Sequence, residues 1–256
     1  MINMSENQIV NVAISGGMGK MGQLVSSFIE TKDGFNISGI YDPAQNSEKY
    51  HNFDSLEEIS GDLLIEFSPS DQINSNLSQL MNSSMNLIVG SSGIEQDTIE
   101  ELKNTISKDQ FICVIPNFSI GASLQKIFSK LANDSFENVT IEERHHNNKK
   151  DAPSGTAINL ANELKSQTSD TDNSKQSNTH ETNLINDINI TSIRDEKYIA
   201  EQTVFLHNQN ESMSIDHIVN DRSAYIEGIN YILDAHSDLK GFIHGLENIM
   251  IERFKI

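Results

Sequence analysis

Apolar and polar positions follow two different patterns in the first 115 residues, and these patterns alternate along the chain. Short runs of β-branched and other apolar residues predict strands at 8–15, 35–41, 62–67, 87–90 and 111–116. Between them, apolar residues recur at helical spacing and predict helices over 21–31, 73–81 and 96–107. Such an alternation is typical of a parallel sheet with helices on both faces. The sequence therefore begins with a predicted doubly wound α/β domain.

The pattern changes after residue 121. A predicted helix over 122–133 leads to an alternating strand over 138–145, and the polar segment 166–187 is predicted to be a long loop. The remaining elements are strands at 188–193, 200–207 and 212–219, followed by helices over 223–236 and 240–254. Because no helix separates these strands, we expect a second, smaller α+β domain with a mixed, open sheet.

Composition and charge exclude several classes of partner. The 256 residues carry a formal net charge of −19, which repels nucleic acid and anionic membranes. No apolar run approaches the length of a membrane span, and the N-terminus lacks the features of a secretory signal. The single cysteine, Cys113, cannot form an internal disulfide, which suits a reducing compartment. We expect a cytoplasmic protein with no nucleic-acid or membrane partner.

A glycine-rich segment stands between the first predicted strand and the first predicted helix. It reads Gly16, Gly17, Met18, Gly19, Lys20, Met21, Gly22. Glycines at Gly-x-Gly-x-x-Gly spacing allow a sharp turn, close approach of a pyrophosphate and tight packing of helix on strand. The helix start adds amide donors and a favourable dipole. A turn without a ligand is the alternative, but the strand–turn–helix context favours a dinucleotide site in a Rossmann-like domain.

Asp42 follows the second predicted strand, where such domains hold the adenosine ribose through an acidic side chain. Taken alone, Asp42 is equally explained as a turn residue before Pro43. Together with the glycine turn, the binding role is favoured. Since a carboxylate repels a 2′-phosphate, we predict NADH as the preferred cofactor, with NADPH possible because Lys20 or Lys49 can relax the preference.

The second chemical motif is a basic cluster in an acidic chain. Five of the seven residues from 144 to 150 are basic: Arg144, His145, His146, Lys149 and Lys150. The cluster runs into a helix start, where Asp151 or Ser154 is a suitable cap. Basic side chains beside a helix N-terminus favour a carboxylate ligand, and a histidine can transfer a proton near neutral pH. No set of metal ligands completes the histidine pair, so we expect no metal.

The helix that follows the cluster has three apolar positions that we predict to form its buried face: Ile158, Ala161 and Leu164. Solvated lysines and an ordinary histidine pair remain the alternative for the isolated basic residues. The complete string, from Glu143 to Ala157, favours a site.

These motifs resemble those of the dihydrodipicolinate reductase family. The string from Glu143 to Ala157 resembles the family signature E-x-H-H-x-x-K-x-D-x-P-S-G-T-A. The glycine turn, the Gly90–Gly93 segment and the Pro116–Gly121 segment resemble further family motifs in the same order. The chain departs from the family pattern at Asp195–Glu196, where glycines are usual, and at Gln202, where histidine is usual.

The resemblance implies a reductase that acts on a small cyclic dicarboxylate and assigns roles by position. His145 would be the proton donor and Lys149 its cationic partner, while His146, Gly155 and Thr156 would bind the substrate. The nucleotide would contact Gly16, Gly17, Met18, Gly19, Lys20, Met21, Asp42, Gly90, Ser91, Ser92, Ile115, Pro116, Asn117 and Phe118. It also implies a dinucleotide-binding domain made of 1–118 and 222–256, a substrate-binding and oligomerisation domain at 119–221, and a homotetramer.

Two other functions are compatible with parts of this pattern. Another two-domain nicotinamide dehydrogenase, acting on an amino or hydroxy acid, would need the glycine turn and Asp42 but not the string around His145 and Lys149. A nucleotide-sensing protein without catalysis would not need a candidate acid such as His145. A turnover assay discriminates among the three.

Overall fold

In the computed structural model, which describes residues 9–165 and 180–254, the protein divides into two compact units. Unit 1 contains the described residues up to Phe118 and those from Ile226, and unit 2 is Ser119–Tyr225. The strands are β1 Val10–Ser15, β2 Phe35–Tyr41, β3 Leu63–Glu66, β4 Asn86–Val89, β5 Phe111–Val114, β6 Asn138–His145, β7 His180–Ile185, β8 Ile188–Arg194, β9 Ala200–His207, β10 Ser212–Val219 and β11 Gly241–His244. The helices are α1 Lys20–Ile29, α2 Ile73–Leu80, α3 Gln96–Thr105, α4 Ile120–Asn133, α5 Gly155–Glu163, α6 Ala224–Ala235 and α7 Leu246–Phe254.

Unit 1 is built on a six-stranded parallel sheet in the order β11-β5-β4-β3-β1-β2. Every residue of β3 and of β5 is buried, as expected for central strands covered on both faces. The strand order reverses beside β1, and the carboxyl ends of β1 and β3 therefore flank the switch point where such sheets bind ligands. The prediction of a doubly wound Rossmann-like sheet is confirmed.

The tail of unit 1 differs from the prediction of one helix over 240–254. Gly241–His244 instead forms β11, which pairs with β5, and the helix begins only at Leu246. Gly241 and Gly245 have φ values of 72° and 88°, which lie outside the helical region. The two glycines therefore delimit a short apolar strand that the helical spacing concealed.

Unit 2 contains a five-stranded mixed sheet in the order β10-β9-β6-β8-β7. β6 and β8 are parallel, and the other pairs are antiparallel. Helices α4 and α5 pack on one face, over a core that includes Ile141, Ile190 and Val204. The opposite face bears exposed apolar side chains at Leu184, Phe205 and Ile218. The prediction of a smaller α+β domain with a mixed, open sheet is confirmed.

Two details of unit 2 correct the predictions. The loop predicted over 166–187 contains strand β7, while residues 166–179 lie outside the described part of the chain. β7 is polar because it is an edge strand, and it joins β8 through Asn186 and Asp187 at positive φ values of 49° and 61°. Asparagine and aspartate are the non-glycine residues that best tolerate this hairpin turn.

The buried face of α5 also differs in its register from the prediction. Ala157, Leu160, Ala161 and Leu164 are buried, whereas Ile158 is only half-buried. The buried residues follow the i, i+3, i+4, i+7 spacing of one helical face, which Ile158 does not share. No helix in residues 9–165 or 180–254 is long and apolar enough to span a membrane.

Candidate active site

The glycine turn at the end of β1 is closely packed against its neighbours. A Cβ at Gly16, whose φ is 68°, would lie 2.7 Å from the carbonyl carbon of Phe67. A Cβ at Gly22 would lie 2.5 Å from the Cα of Gly17. A Cβ at Gly17 would collide with the side chain of Ile40. The motif therefore forms a side-chain-free cradle, as close approach of a pyrophosphate requires.

The first helix begins directly after this cradle. Its N-cap residue, Gly19, offers no side-chain cap to the amides of the first turn. These amides, including that of Met21, are therefore suited to an anionic ligand. The backbone here fits the phosphates of a dinucleotide.

Asp42, just after β2, is hydrogen-bonded to the backbone of the glycine cradle. Its Oδ2 accepts a hydrogen bond from the backbone N–H of Met18 at 3.0 Å, and its Oδ1 accepts one from Ala44 at 3.0 Å. The side chain is half-buried and each oxygen retains acceptor capacity. Two lysines are predicted to relax the preference for NADH. Lys49 donates to Glu30 at 2.6 Å, whereas Lys20 is exposed.

The other predicted nucleotide residues of unit 1 lie at the carboxyl ends of β4 and β5. A Cβ at Gly90 would meet the rings of Phe67 and Phe118 at 2.5 Å and 2.6 Å, so these three residues pack together. Ser91 is buried and donates to the carbonyl of Glu66 at 3.3 Å. The remaining positions range from buried to exposed: Ile115 is buried, Asn117 is half-buried, and Ser92 and Pro116 are exposed.

Glu66, at the end of β3, is a buried acid that the sequence motifs did not single out. Its side chain is fully buried, and its Oε1 accepts the N–H of Ser68 at 2.5 Å. Its Oε2 has no hydrogen-bond partner within residues 9–165 and 180–254. Burial raises the pKa of this carboxyl, although hydrogen bonds from Ser68 and Ser15 oppose the rise. An acid inside the apolar run of β3 was the signal available in the sequence.

In unit 2, two polar side chains that belong to the candidate site lie on the inner face of strand β6. Alternation along the strand places Glu143 and His145 in line with the core residues Val139 and Ile141. Glu143 is fully buried and its Oε2 is hydrogen-bonded to Nδ1 of His145. Its Oε1 accepts from Nη2 of Arg194 at 2.9 Å.

These contacts control the charge of Glu143. Burial alone would raise the pKa of the Glu143 carboxyl, but the hydrogen bonds from His145 and Arg194 outweigh burial and lower it. Glu143 is therefore an ionised carboxylate inside the unit. A buried charge of this kind requires its partners.

Arg194 also contacts the loop that contains Lys149. Its Nη2 donates to the backbone carbonyl of Asp151 at 2.7 Å, and the carboxylate of Asp151 accepts from Nζ of Lys149 at 2.8 Å and 2.9 Å. Burial would raise the pKa of Asp151, but the bond from Lys149 lowers it below its usual range. Two sets of hydrogen bonds, joined through the covalent structure of Asp151, thus connect the two predicted catalytic groups, His145 and Lys149.

The start of α5 lies just beyond this loop. Ser154, not Asp151, caps the helix, since its Oγ accepts the N–H of Ala157 at 3.3 Å. Gly155 and Thr156 are exposed, and a Cβ at Gly155 would meet no atom of the described part of the chain within 4 Å. The first amides of α5 therefore border open space.

His146 is the other predicted substrate residue near this helix. It is half-buried, and its buried Nδ1 has no hydrogen-bond partner among the residues that the structure describes.

The basic cluster does not act as one group. Arg144 lies on the opposite face of β6, where it pairs with Glu142 and with Glu201 at 3.4 Å, and Lys150 is exposed. Sequence reasoning missed Glu143 and Arg194 as partners of the site. In the described ranges no group of His, Cys, Asp and Glu could hold a metal ion.

Comparison with known proteins identifies the family. The family model described as dihydrodipicolinate reductase, N-terminus, matches residues 10–118, and its C-terminal counterpart matches residues 119–250. The chain belongs to the dihydrodipicolinate reductase family. Unit 1 thus has the nucleotide-binding, Rossmann-type fold of this reductase family.

Relatives within the dihydrodipicolinate reductase family match nearly the whole chain. A 4-hydroxy-tetrahydrodipicolinate reductase from Listeria innocua is 31% identical and covers 94% of this chain and 100% of its own length. One from Dictyoglomus turgidum is 28% identical, with 94% and 98% covered. The dipicolinate-bound dihydrodipicolinate reductase from Paenisporosarcina sp. TG-14 shares the fold with a TM-score of 0.79 at 23% identity, over 94% of this chain and 100% of its own.

Proposed function

We propose that the protein is a 4-hydroxy-tetrahydrodipicolinate reductase. It reduces (2S,4S)-4-hydroxy-2,3,4,5-tetrahydrodipicolinate to tetrahydrodipicolinate with loss of water, in lysine biosynthesis through diaminopimelate. The observation that carries this function is that Glu143, Arg194 and Asp151 link His145 to Lys149 beside the start of α5. Family membership and the names of the relatives support it.

A nicotinamide dinucleotide is the proposed cofactor, and it supplies a hydride when bound. The cradle of Gly16, Gly17 and Gly22 and the first turn of α1 would hold its phosphates. Asp42 would accept hydrogen bonds from the ribose hydroxyls, and its negative charge would disfavour a 2′-phosphate. NADH is therefore the proposed preference, with NADPH as a weaker alternative because Lys20 remains exposed.

Unit 2 would bind the dicarboxylate. The carboxylates would accept hydrogen bonds from Lys149, from the imidazole of His146 and from the first amides of α5, at Gly155 and Thr156. Since Lys149 already binds Asp151, a substrate carboxylate would share this ammonium group. The binding energy would thus depend on several weak donors together.

The proton chemistry follows from the position of His145. Loss of water from the substrate leaves a conjugated C=C–C=N unit, and hydride addition to it moves electron density toward nitrogen as an enamine. The cation at Lys149 stabilises the developing charge. His145, held by Glu143, then protonates the adjacent carbon.

The remaining proposals concern the whole assembly. Residues 1–118 and 222–256 would form the dinucleotide-binding domain, and 119–221 the substrate-binding and oligomerisation domain of a cytoplasmic homotetramer. The exposed apolar side chains on the open face of the second sheet support self-association.

The test is a turnover assay. The protein is mixed with NADH and the condensation product of pyruvate and aspartate semialdehyde, and loss of nicotinamide absorbance is followed. Oxidation that depends on the condensation product supports the reductase. Oxidation only with an amino or hydroxy acid supports another dehydrogenase, and binding of NADH without turnover supports a sensor.

A further inference from the structure

The side chain of Glu143 sits at a position where an acid is unexpected. The residues that precede it on the inner face of β6, Val139 and Ile141, belong to the apolar core, and Glu143 is itself fully buried. The contacts with His145 and Arg194 therefore stabilise the charge of Glu143, because a buried carboxylate without them would be strongly unfavourable.

The ionised state of Glu143 determines which nitrogen of His145 carries a proton. An ionised carboxylate can only accept hydrogen bonds, so the Nδ1 that contacts Glu143 must be the donor. Nε2 is then the nitrogen left for the substrate. It can release a proton and recover it while the ring keeps one orientation.

Arg194 limits how strongly Glu143 holds this ring. Because its Nη2 occupies Oε1 of Glu143 at 2.9 Å, the carboxylate attracts the imidazole proton less than an unshared carboxylate would. The same nitrogen donates to the backbone carbonyl of Asp151 at 2.7 Å and thereby anchors the residue whose carboxylate binds Lys149.

We propose that Glu143 and Arg194 are positioning residues for this reaction: Glu143 fixes His145 with Nδ1–H inward and Nε2 toward the substrate, and Arg194 holds His145 and Lys149 in one frame. This inference rests on the proposed function, and it adds two residues that touch neither the substrate nor the cofactor.

The first test compares Glu143→Gln with Glu163→Gln. Glu163 is a matched control, since it also pairs with two basic side chains, Lys126 and Lys130, but at the exposed end of α5. Glu143→Gln should lower kcat roughly 100-fold, the range of a misplaced general acid, and change dipicolinate affinity less than threefold. Glu163→Gln should leave both unchanged.

A double variant separates positioning from a purely structural role. If Glu143 acts through His145, adding Glu143→Gln to His145→Gln should cause no further loss of kcat. Two losses that multiply would overturn the proposal.

Nitrogen NMR of the ring provides a readout that does not depend on activity. At a pH where the ring is neutral, residue 145, identified by its absence from the His145→Gln spectrum, should carry its proton on Nδ1. In Glu143→Gln the new amide can donate to Nδ1, so the proton should move to Nε2. A wild-type ring protonated on Nε2 would overturn the proposal even if the variant failed to fold.

Arg194 is tested by Arg194→Lys and Arg194→Met. Methionine removes the hydrogen bonds to Glu143 and to Asp151, and it should lower kcat about 100-fold. It should also weaken dipicolinate binding several-fold, because the loop that carries Lys149 loses its anchor. Lysine keeps the charge but lacks the planar guanidinium that places Nη2 between Glu143 and Asp151, so it should recover only part of kcat. Full activity in Arg194→Met would exclude the role.

These outcomes distinguish the two hypotheses. If the wild-type protein does not oxidise NADH with the condensation product, the proposed function fails, while the NMR result still decides the orientation of His145. If the wild type turns over and Glu143→Gln stays within threefold of it, only the positioning role fails.

Discussion

At the scale of single residues, two glycines illustrate opposite requirements. Gly22 has no room for a side chain, because a Cβ would lie 2.5 Å from the Cα of Gly17. Gly22→Ala should therefore separate the turn from α1, weaken NADH binding more than tenfold and destabilise the fold by about 1–3 kcal/mol. Calorimetric titration with NADH and thermal unfolding check this prediction. Unchanged NADH affinity would show that the cradle does not bind the nucleotide.

Gly155, in contrast, has room for a side chain, since a Cβ there would meet nothing within 4 Å among the described residues. We predict that Gly155→Ala folds normally and binds NADH as the wild type does. Its methyl group would enter the space proposed for a substrate carboxylate and weaken dipicolinate binding roughly fivefold, or about 1 kcal/mol. Equal dipicolinate affinity in Gly155→Ala and wild type would argue against this placement. The Gly22 and Gly155 variants serve as controls for each other.

His145 and Lys149 should differ in how their loss affects the kinetics. His145→Gln should lower kcat about 100-fold with little change in dipicolinate affinity, because the imidazole serves the proton transfer. Lys149→Ala should lower kcat and also weaken binding, since its charge acts on both the bound substrate and the transition state. Steady-state kinetics with either variant within threefold of wild type would contradict these roles.

At the scale of secondary-structure elements, Glu66 makes strand β3 sensitive to pH. Burial raises its pKa from 4.5 in the folded protein, so stability is lost as the pH rises from the unfolded value through the folded one. Glu66→Gln mimics the protonated acid. It should therefore raise the melting temperature at pH 8 and have little effect at pH 4. Thermal unfolding at both pH values checks this, and an equal shift at both would contradict it.

Local patterns predicted most elements but failed where tertiary pairing decides. Phe242 and Ile243 fit a helical spacing with the residues after them, yet the two positive-φ glycines on either side favour a strand once β5 offers an edge. β7 is polar and short of apolar residues, and it exists because β8 pairs with it. The spacing of apolar residues along a sequence reflects which side chains are buried. An edge strand buries few side chains, so its spacing gives little signal.

The candidate site was predictable to the extent that its residues are adjacent in sequence. The glycine turn and the string from His145 to Thr156 are local motifs with a direct chemical meaning. The pairing of Arg194 with Glu143 joins residues 51 positions apart and depends on the parallel register of β6 and β8. A single sequence does not specify this register, and Arg194 therefore did not stand out.

At the scale of the whole molecule, the open face of the second sheet predicts self-association. Phe205 is 40% exposed there, whereas Phe128, 47% exposed, lies on helix α4 of the same unit. Phe205→Asp should dissociate a homo-oligomer, because a charge in an apolar interface is unfavourable, and Phe128→Asp should not. Light scattering after size exclusion measures the masses. A monomeric wild type, or equal masses for wild type and Phe205→Asp, would contradict the prediction.

The buried carboxylate of β6 has a consequence for sequence design and for selection. Replacing Glu143 and Arg194 together with apolar residues of similar volume would be neutral or favourable for folding, as for other buried ion pairs. Selection for thermal stability alone would therefore favour loss of this pair and would yield a more stable protein with impaired activity. Positions 143 and 194 should be kept fixed in any redesign for robustness.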